Sequence, residues 1–266
     1  MRIGFIGAGG KIAGAIINGI LSSGIANAAD LYLYAPRAEA VRKYIDGGAI
    51  LCSSNIELCQ NSDYIFLCVK PQIVLSVLSE IAGNIASDKC VVSNVAGTTI
   101  STIKNVLKTD CGIVRVMPNT PLMLSCGASG IACDDAVSDE QFEFVNNIYS
   151  SLGVAVRCKE EEINAVTAVS GSGPAYVFRF ARDIINEAVE LGLNYDSACQ
   201  LMYQTLIGSA IMLRDSGKSA DELIDMVTSP NGTTYAALQS MNRNNFDDAV
   251  RAAIKACKDR ADELGK

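Results

Sequence analysis

Two hydrophobic periodicities divide the chain. As far as about residue 157, short apolar runs alternate with helical spacing; beyond that point the apolar positions recur at helical intervals only. The runs predict strands over 2–6, 31–35, 49–52, 64–69, 90–95, 113–117, 127–132 and 154–157. Helices are predicted between them at 12–23, 55–60, 73–82, 100–107 and 139–152. The run 64–69 is apolar at every position, as in a parallel strand covered on both faces. Six further helices are predicted at 161–169, 175–191, 195–216, 220–227, 233–241 and 246–264. This pattern predicts an α/β fold: an N-terminal Rossmann-type doubly wound sheet, then an all-helical C-terminal domain. The expected domains are 1–157 and 158–266. No repeat, low-complexity tract or linker separates them, and all six prolines fall beside loops.

Glycine punctuation adds chemistry to these elements. Gly7-Ala8-Gly9-Gly10-Lys11 lies between the first strand and the first helix, the setting of a dinucleotide fingerprint. There the glycines allow a tight turn and the helix N-terminus faces a pyrophosphate. The third small position is displaced: Ile12 stands where the fingerprint has glycine, and Ala13 comes one residue late. The second strand ends in Tyr34-Ala35-Pro36-Arg37, with no acid for a ribose 2′-hydroxyl and an Arg able to fork a phosphate. NADPH is therefore expected over NADH, which stays possible; Arg37 equally suits the exposed start of a helix. Lys70, before the helix-opening Pro71, and Ala96-Gly97 end two central strands, at the edge where open α/β sheets bind ligands.

Two further stretches stand out in the helical half. Ala168 to Phe178 reads Ala-Val-Ser-Gly-Ser-Gly-Pro-Ala-Tyr-Val-Phe. It is read as a tight lead-in, Ser170 to Pro174, to a long buried helix whose first N–H groups are free for an anion. A close helix–helix crossing that needs glycines is the other reading. Ser229-Pro230-Asn231-Gly232-Thr233-Thr234 places hydroxyls at a helix start, where they serve either a carboxylate ligand or an ordinary capped turn.

Composition narrows the chemistry. With 49% hydrophobic residues the chain is globular, and a net charge of −7 without basic runs argues against nucleic acid. No apolar run reaches membrane-spanning length and Met1 leads directly into a strand, so a soluble, cytoplasmic protein is expected. Ten cysteines are scattered without a Cys-x-x-Cys pair, which predicts reduced core residues and no metal. There is no His and no Trp. Chemistry must come from hydroxyls, Lys, carboxylates, backbone groups or a cofactor.

From end to end the chain resembles the pyrroline-5-carboxylate reductase family. The resemblance is carried by the stretch from Ala165 to Tyr176 and by Thr228 to Thr234. It is carried too by Val69-Lys70-Pro71, Ala96-Gly97 and Met117-Pro118-Asn119-Thr120-Pro121. It implies NAD(P)H-dependent reduction of 1-pyrroline-5-carboxylate to L-proline. It also implies a homodimer interlocked through the helical domain, assembling into a larger ring such as a decamer. Cofactor contacts would fall on Ile6, Gly7, Ala8, Gly9, Gly10 and Lys11, on Ala35 and Arg37, and on Asn55. Further contacts would come from Val69, Lys70 and Pro71 and from Val95, Ala96 and Gly97. Substrate contacts would fall on Ser229, Thr233 and Thr234, with Ser172 nearby. Two positions depart from the family: the first glycine loop is one residue longer, and Asn231 replaces a common glycine, which a left-handed Asn tolerates.

A protonated cyclic imine needs no His, because its own charge makes its carbon a hydride acceptor. The expected arrangement has backbone N–H groups from Gly232 to Thr234, with Ser229, holding the substrate carboxylate. Thr234 is expected to hydrogen-bond the ring nitrogen and pass or orient the proton; Lys70 is the rival acid. Other NADP-dependent imine or β-hydroxyacid reductases would share the first domain. The hydroxyacid type expects a Lys on the long helix, and 175–191 offers only Arg179 and Arg182. A non-catalytic NADPH-binding sensor would need no hydroxyl turn.

Overall fold

A computed structural model describes residues 1–265. The first half forms β1 (Ile3–Ile6), α1 (Lys11–Ser22), β2 (Leu31–Tyr34), α2 (Arg42–Asp46), β3 (Ile50–Leu51), α3 (Asn55–Asn61) and β4 (Tyr64–Leu67). It continues through α4 (Pro71–Ile81), β5 (Cys90–Ser93), α5 (Ile100–Leu107), β6 (Gly112–Met117), β7 (Gly127–Cys133), α6 (Asp139–Ser150) and β8 (Gly153–Arg157). Helix starts follow local capping chemistry. Ser54 and Thr99 accept N–H bonds at α3 and α5, and Ser138 forms a reciprocal box with Gln141 at α6. Pro71 occupies the first position of α4, where its missing N–H costs nothing.

The strands form one eight-stranded sheet in the order β3-β2-β1-β4-β5-β6-β7-β8. Every pairing is parallel except β6 with β7, which the short 3₁₀ connection Thr120–Leu124 joins as antiparallel neighbours. The chain winds outward from β1 in both directions, so β1 and β4 flank a topological switch point. Register aligns their ends: Ile6 pairs with Tyr34 on one side and with Leu67 on the other. Side chains of these strands alternate between two cores. Phe5 and Phe66 stack at 4.7 Å on one face, while Ile6, Ile65 and Leu67 pack on the other. Burial on both faces accounts for the unbroken apolar run at 64–67.

The remainder is helical: a 3₁₀ turn at Glu160–Glu162, α7 (Ile163–Val166), a π-helical turn at Thr167–Gly171 and α8 (Gly173–Glu190) come first. They are followed by α9 (Tyr195–Asp215), α10 (Ala220–Met226), α11 (Thr233–Arg243) and α12 (Phe246–Leu264). Strands end where the periodicity changes, but compactness divides the chain elsewhere. One unit comprises Met1–Pro174 together with the chain from Ala256 onward; the other is Ala175–Lys255. α7 and the last turns of α12 belong to the sheet-bearing unit: Asn164 accepts from Arg115 of β6 at 3.3 Å and donates to Asp262 at 2.7 Å.

Three expectations need correction. The 3₁₀ turn at Ala38–Val41 and α2 escape the pattern because five residues show too little of a helical period. α8 is not a buried helix in the single chain: it buries only Ala181 and Ile185, while Val177, Phe178 and Ile184 are exposed. The cysteines are all free, but Cys126 is exposed, because it sits after the 3₁₀ connection rather than on a core face. Among the described residues no helix is long and apolar enough to cross a membrane.

Candidate active site

The switch point carries a glycine-built turn. Gly7 has φ +82°, and a Cβ there would lie 2.8 Å from the Cys68 carbonyl oxygen. Gly9 sits so close to Ala40 that a Cβ would meet its methyl carbon at 2.9 Å. The turn is fastened to the neighbouring strand, because the N–H groups of Gly7 and Ala8 donate to the Tyr34 carbonyl at 3.2 and 3.1 Å. Gly10 then caps α1 without a side-chain bond, and no acid occupies the first turn. The first N–H groups of α1, from Lys11 onward, therefore point out of the helix without intrahelical acceptors, as an anion requires. Ala13, the late small residue, is fully buried in the core beneath.

A cleft of about 550 Å³ opens above this turn. Of the residues expected at a cofactor, Ile6, Gly7, Gly9, Gly10, Ala35, Arg37, Asn55, Val69 and Lys70 line it. Tyr34, Pro36, Ala40, Cys68, Ile73 and Val77 line it as well. Ile73 and Val77, one turn apart on α4, could have been found from their i, i+4 spacing just beyond Pro71. Ala40 had no signal, since the short 3₁₀ turn that delivers it was not legible.

The polar groups of the cleft are few and placed. Asn55 is buried, donates to Glu80 at 2.9 Å, and its Oδ1 has no partner among the described residues. Such an oxygen is costly to bury unless a ligand donor meets it. Arg37 and Lys70 are exposed and make no ion pair among the described residues. The Cys68 thiol is pushed up to about 12 by burial, partly offset by a hydrogen bond from Asn94, so it is no nucleophile near neutral pH.

Ala8, Lys11, Pro71, Val95, Ala96 and Gly97 do not line the cleft. Ala8 is buried behind the turn, Lys11 opens α1, and Pro71 opens α4. Gly97 faces the end of α12, where a Cβ would meet the Leu264 carbonyl oxygen at 2.9 Å. Beside it, Glu160 accepts from the Ile100 N–H at 2.7 Å and pairs with the buried Arg115 at 3.2 Å. Arg115 also donates to Asn164 at 3.3 Å. Burial lowers the Arg115 pKa while Glu160 opposes the shift. Nothing in the sequence pattern marked Arg115, since it stands alone in an apolar strand.

The Ser170 to Pro174 stretch is not a tight lead-in: Ser170 and Gly171 end the π-helical turn Thr167–Gly171, Ser172 caps it, and Gly173 and Pro174 open α8. Its N–H groups are not free: that of Ser172 donates to the Thr167 carbonyl at 2.8 Å. Neither Gly171 nor Gly173 has positive φ. A Cβ on Gly171 would make only ordinary contact with Met117 at 3.5 Å, and one on Gly173 would meet nothing within 4 Å. Within one chain, therefore, neither the turn nor the close crossing requires them. The half-buried Ser172 hydroxyl accepts from the Cys257 thiol at 3.3 Å.

In the other unit, the Ser229 to Thr234 turn leads into α11. Asn231 takes φ +60°, as expected of an Asn in a glycine position. Gly232 needs correction as an N–H donor: its N–H already bonds the Ser229 carbonyl at 3.0 Å. A Cβ there would strike the Ser229 hydroxyl, at 2.4 Å. The outward N–H groups are those of Thr233 and Thr234, at the head of an uncapped α11. The hydroxyls of Ser229, Thr233 and Thr234 have no hydrogen-bond partner among the described residues, with Thr234 half-buried.

Comparison with known proteins places this geometry. A family model described as "Pyrroline-5-carboxylate reductase dimerisation" matches residues 160–264, and one described as "NADP oxidoreductase coenzyme F420-dependent" matches residues 2–97. The pyrroline-5-carboxylate reductase of Escherichia coli K12 is 36% identical over 266 residues, covering 100% of this chain and 98% of that protein. The Pseudomonas aeruginosa enzyme of the same name is 38% identical, covering 100% and 97%. The solved structure of Plasmodium falciparum pyrroline carboxylate reductase with NADP bound superposes with a TM-score of 0.91 at 31% identity, covering 100% and 98%. Matched over its whole length by such relatives, the chain belongs to the pyrroline-5-carboxylate reductase family.

Proposed function

We propose that the protein catalyses NAD(P)H-dependent reduction of 1-pyrroline-5-carboxylate to L-proline, the last step of proline biosynthesis. The observation that carries this reading is the cleft at the β1–β4 switch point, built on glycines that a Cβ would fill and edged by an orphaned Asn55 oxygen. These residues fit a dinucleotide, and a reduced nicotinamide supplies the hydride when bound. The Lys11 end of α1 faces the pyrophosphate, Asn55 receives a donor, and Lys70 with Val69 and Pro71 borders the cofactor. Arg37 reads a 2′-phosphate, which favours NADPH over NADH. Val95, Ala96 and Gly97, which lie outside the cleft, are cofactor contacts that the resemblance implies.

For the substrate, the N–H groups of Thr233 and Thr234, with the Ser229 hydroxyl, hold the carboxylate at the head of α11. Ser172 is a further substrate contact that the resemblance implies, and Gly232 contributes by letting Ser229 lie against the backbone. Thr234 hydrogen-bonds the ring nitrogen and orients or relays its proton. Residues 158–266 act as the substrate and dimerisation domain; the apolar side chains that α8 and α9 leave exposed, Phe178, Leu201 and Ile207 among them, suit a homodimer. A decameric ring of such dimers is the assembly proposed. Ten free cysteines suit a reducing compartment, and the cytoplasm is the one proposed.

The test is loss of absorbance at the reduced-nicotinamide band with pyrroline-5-carboxylate, NADPH and NADH in parallel. Rapid loss with NADPH is expected; cofactor binding without turnover would favour a sensor. Thr234→Ala should lower kcat by roughly 10²-fold, within the usual range for a lost proton-transfer group, with NADPH affinity unchanged. An unchanged kcat would remove Thr234 from the proton path.

A further inference from the structure

Helices leave certain carbonyls without donors, and the π-helical turn before α8 creates one by its sequence. The Ser170 carbonyl would be paired with the N–H of residue 174 in an α-helix, but residue 174 is Pro174 and has none. A side chain from another element supplies the donor: Asn119 Nδ2 donates to the Ser170 carbonyl at 3.1 Å. The other end of the same amide accepts from the Ala128 N–H, at the start of β7, at 2.9 Å. Asn119 is buried, lies directly after Pro118 on the loop leaving β6, and does not line the cofactor cleft. Met117, two residues earlier, packs against Gly171 of the same turn. Ser172 follows at once, its N–H tied back into the turn and its hydroxyl held by Cys257.

We infer that Asn119 is a positioning residue for the substrate, acting through the π-helical turn to fix where Ser172 presents its hydroxyl. π-turns inside helices frequently accompany functional sites, and this one persists because an off-helix donor replaces the bond that Pro174 forbids. Without that donor the turn relaxes or slides, and a hydroxyl displaced by about 1 Å loses its alignment. The inference rests on the proposed substrate role of Ser172.

Asn119→Asp and Asn119→Ala separate the two ends of the amide. The Asp variant keeps an acceptor for Ala128 and loses the donor for Ser170; the Ala variant loses both. Positioning through the turn requires that both raise KM for pyrroline-5-carboxylate by roughly tenfold, with a smaller change in kcat and an NADPH dissociation constant within about twofold of the parent. Both should also hasten hydrogen exchange of the peptide spanning 166–173. If Asn119 serves only to anchor β7, the Asp variant keeps the parent KM while the Ala variant lowers the melting temperature, and the inference fails. A matched loss of NADPH affinity and substrate KM also overturns it. Ser172→Ala is measured alongside: a silent Ser172→Ala removes the substrate role of Ser172 and the inference with it. A raised KM in Ser172→Ala beside a parental KM in Asn119→Asp removes the inference alone.

Discussion

Two glycine-rich stretches look alike in the sequence and behave differently in the fold. Between β1 and α1, Gly7 has a left-handed backbone and presses on the Cys68 carbonyl, and Gly9 presses on Ala40. Before α8, Gly171 and Gly173 have ordinary helical backbone and no close neighbour that a Cβ would displace. The first pair is held by Cys68, just past β4, and by the 3₁₀ turn at Ala38–Val41, both distant in sequence; the second lies where a π-turn runs on into α8. A glycine is sterically required where another part of the chain closes on it, and the letters alone do not say where that happens.

The comparison breaks most readily at Gly7. Gly7→Ala should raise the NADPH dissociation constant by tenfold or more, since the left-handed backbone alone costs about 1–2 kcal/mol and the carbonyl contact adds to it. A titration of cofactor fluorescence checks this, and unchanged affinity would mean that the turn is not the cofactor seat. Arg37→Ala comes next. It should raise KM for NADPH by roughly tenfold while leaving NADH alone, the loss of about 1.5 kcal/mol expected for one charge-assisted hydrogen bond. Parallel steady-state kinetics decide it, and an equal loss with both cofactors would remove Arg37 as the phosphate reader.

On the other side of the comparison the effects are smaller. Gly173→Ala should stabilise the protein by about 0.4–1 kcal/mol, measured by denaturant unfolding, because the backbone is helical and the space is open. Destabilisation instead would mean that a second copy of the chain fills that space. Smallest of all is the expected response of Cys68, whose carbonyl supports Gly7. Its thiol, pushed up to about 12 by burial, should resist alkylation at pH 8 in the native protein while the exposed Cys126 reacts. Mass-spectrometric mapping of the labelled sites reads both at once, and native labelling of Cys68 would show that the cleft floor opens.

Much of the sheet was legible because buried parallel strands leave a signature of their own. The run from Tyr64 to Leu67 and the alternation of Phe5 and Ile6 between two cores follow from burial on both faces, and burial selects apolar residues at every position. Strand ends were overrun by one or two residues, at Ala35, Val69 and Val95, because apolar character continues past the last paired residue into the cleft edge. Asn231 was legible in its turn because left-handed backbone is a local property. Ala40 and Arg115 were not, and Asn119 was legible only as a member of the Met117 to Pro121 motif, without a partner or a role. Each matters through a partner far along the chain: Gly9, Glu160 and Ser170 respectively.

The amino-acid sequence by itself determined the order of the strands and of every α-helix except α2, the glycine turn after β1, and the hydroxyl turn before α11. These follow from periodicity, capping and backbone preference, which act over a few residues. It determined the absence of imidazole chemistry too, since the chain contains no His. Only the tertiary structure decided that β7 runs antiparallel to β6, that Gly97 packs against the end of α12, and that α8 is preceded by a π-turn, Thr167–Gly171, whose Ser170 carbonyl is met by Asn119. Long-range closure makes those choices, because a carbonyl or a small side chain acquires its meaning from whichever distant element arrives beside it.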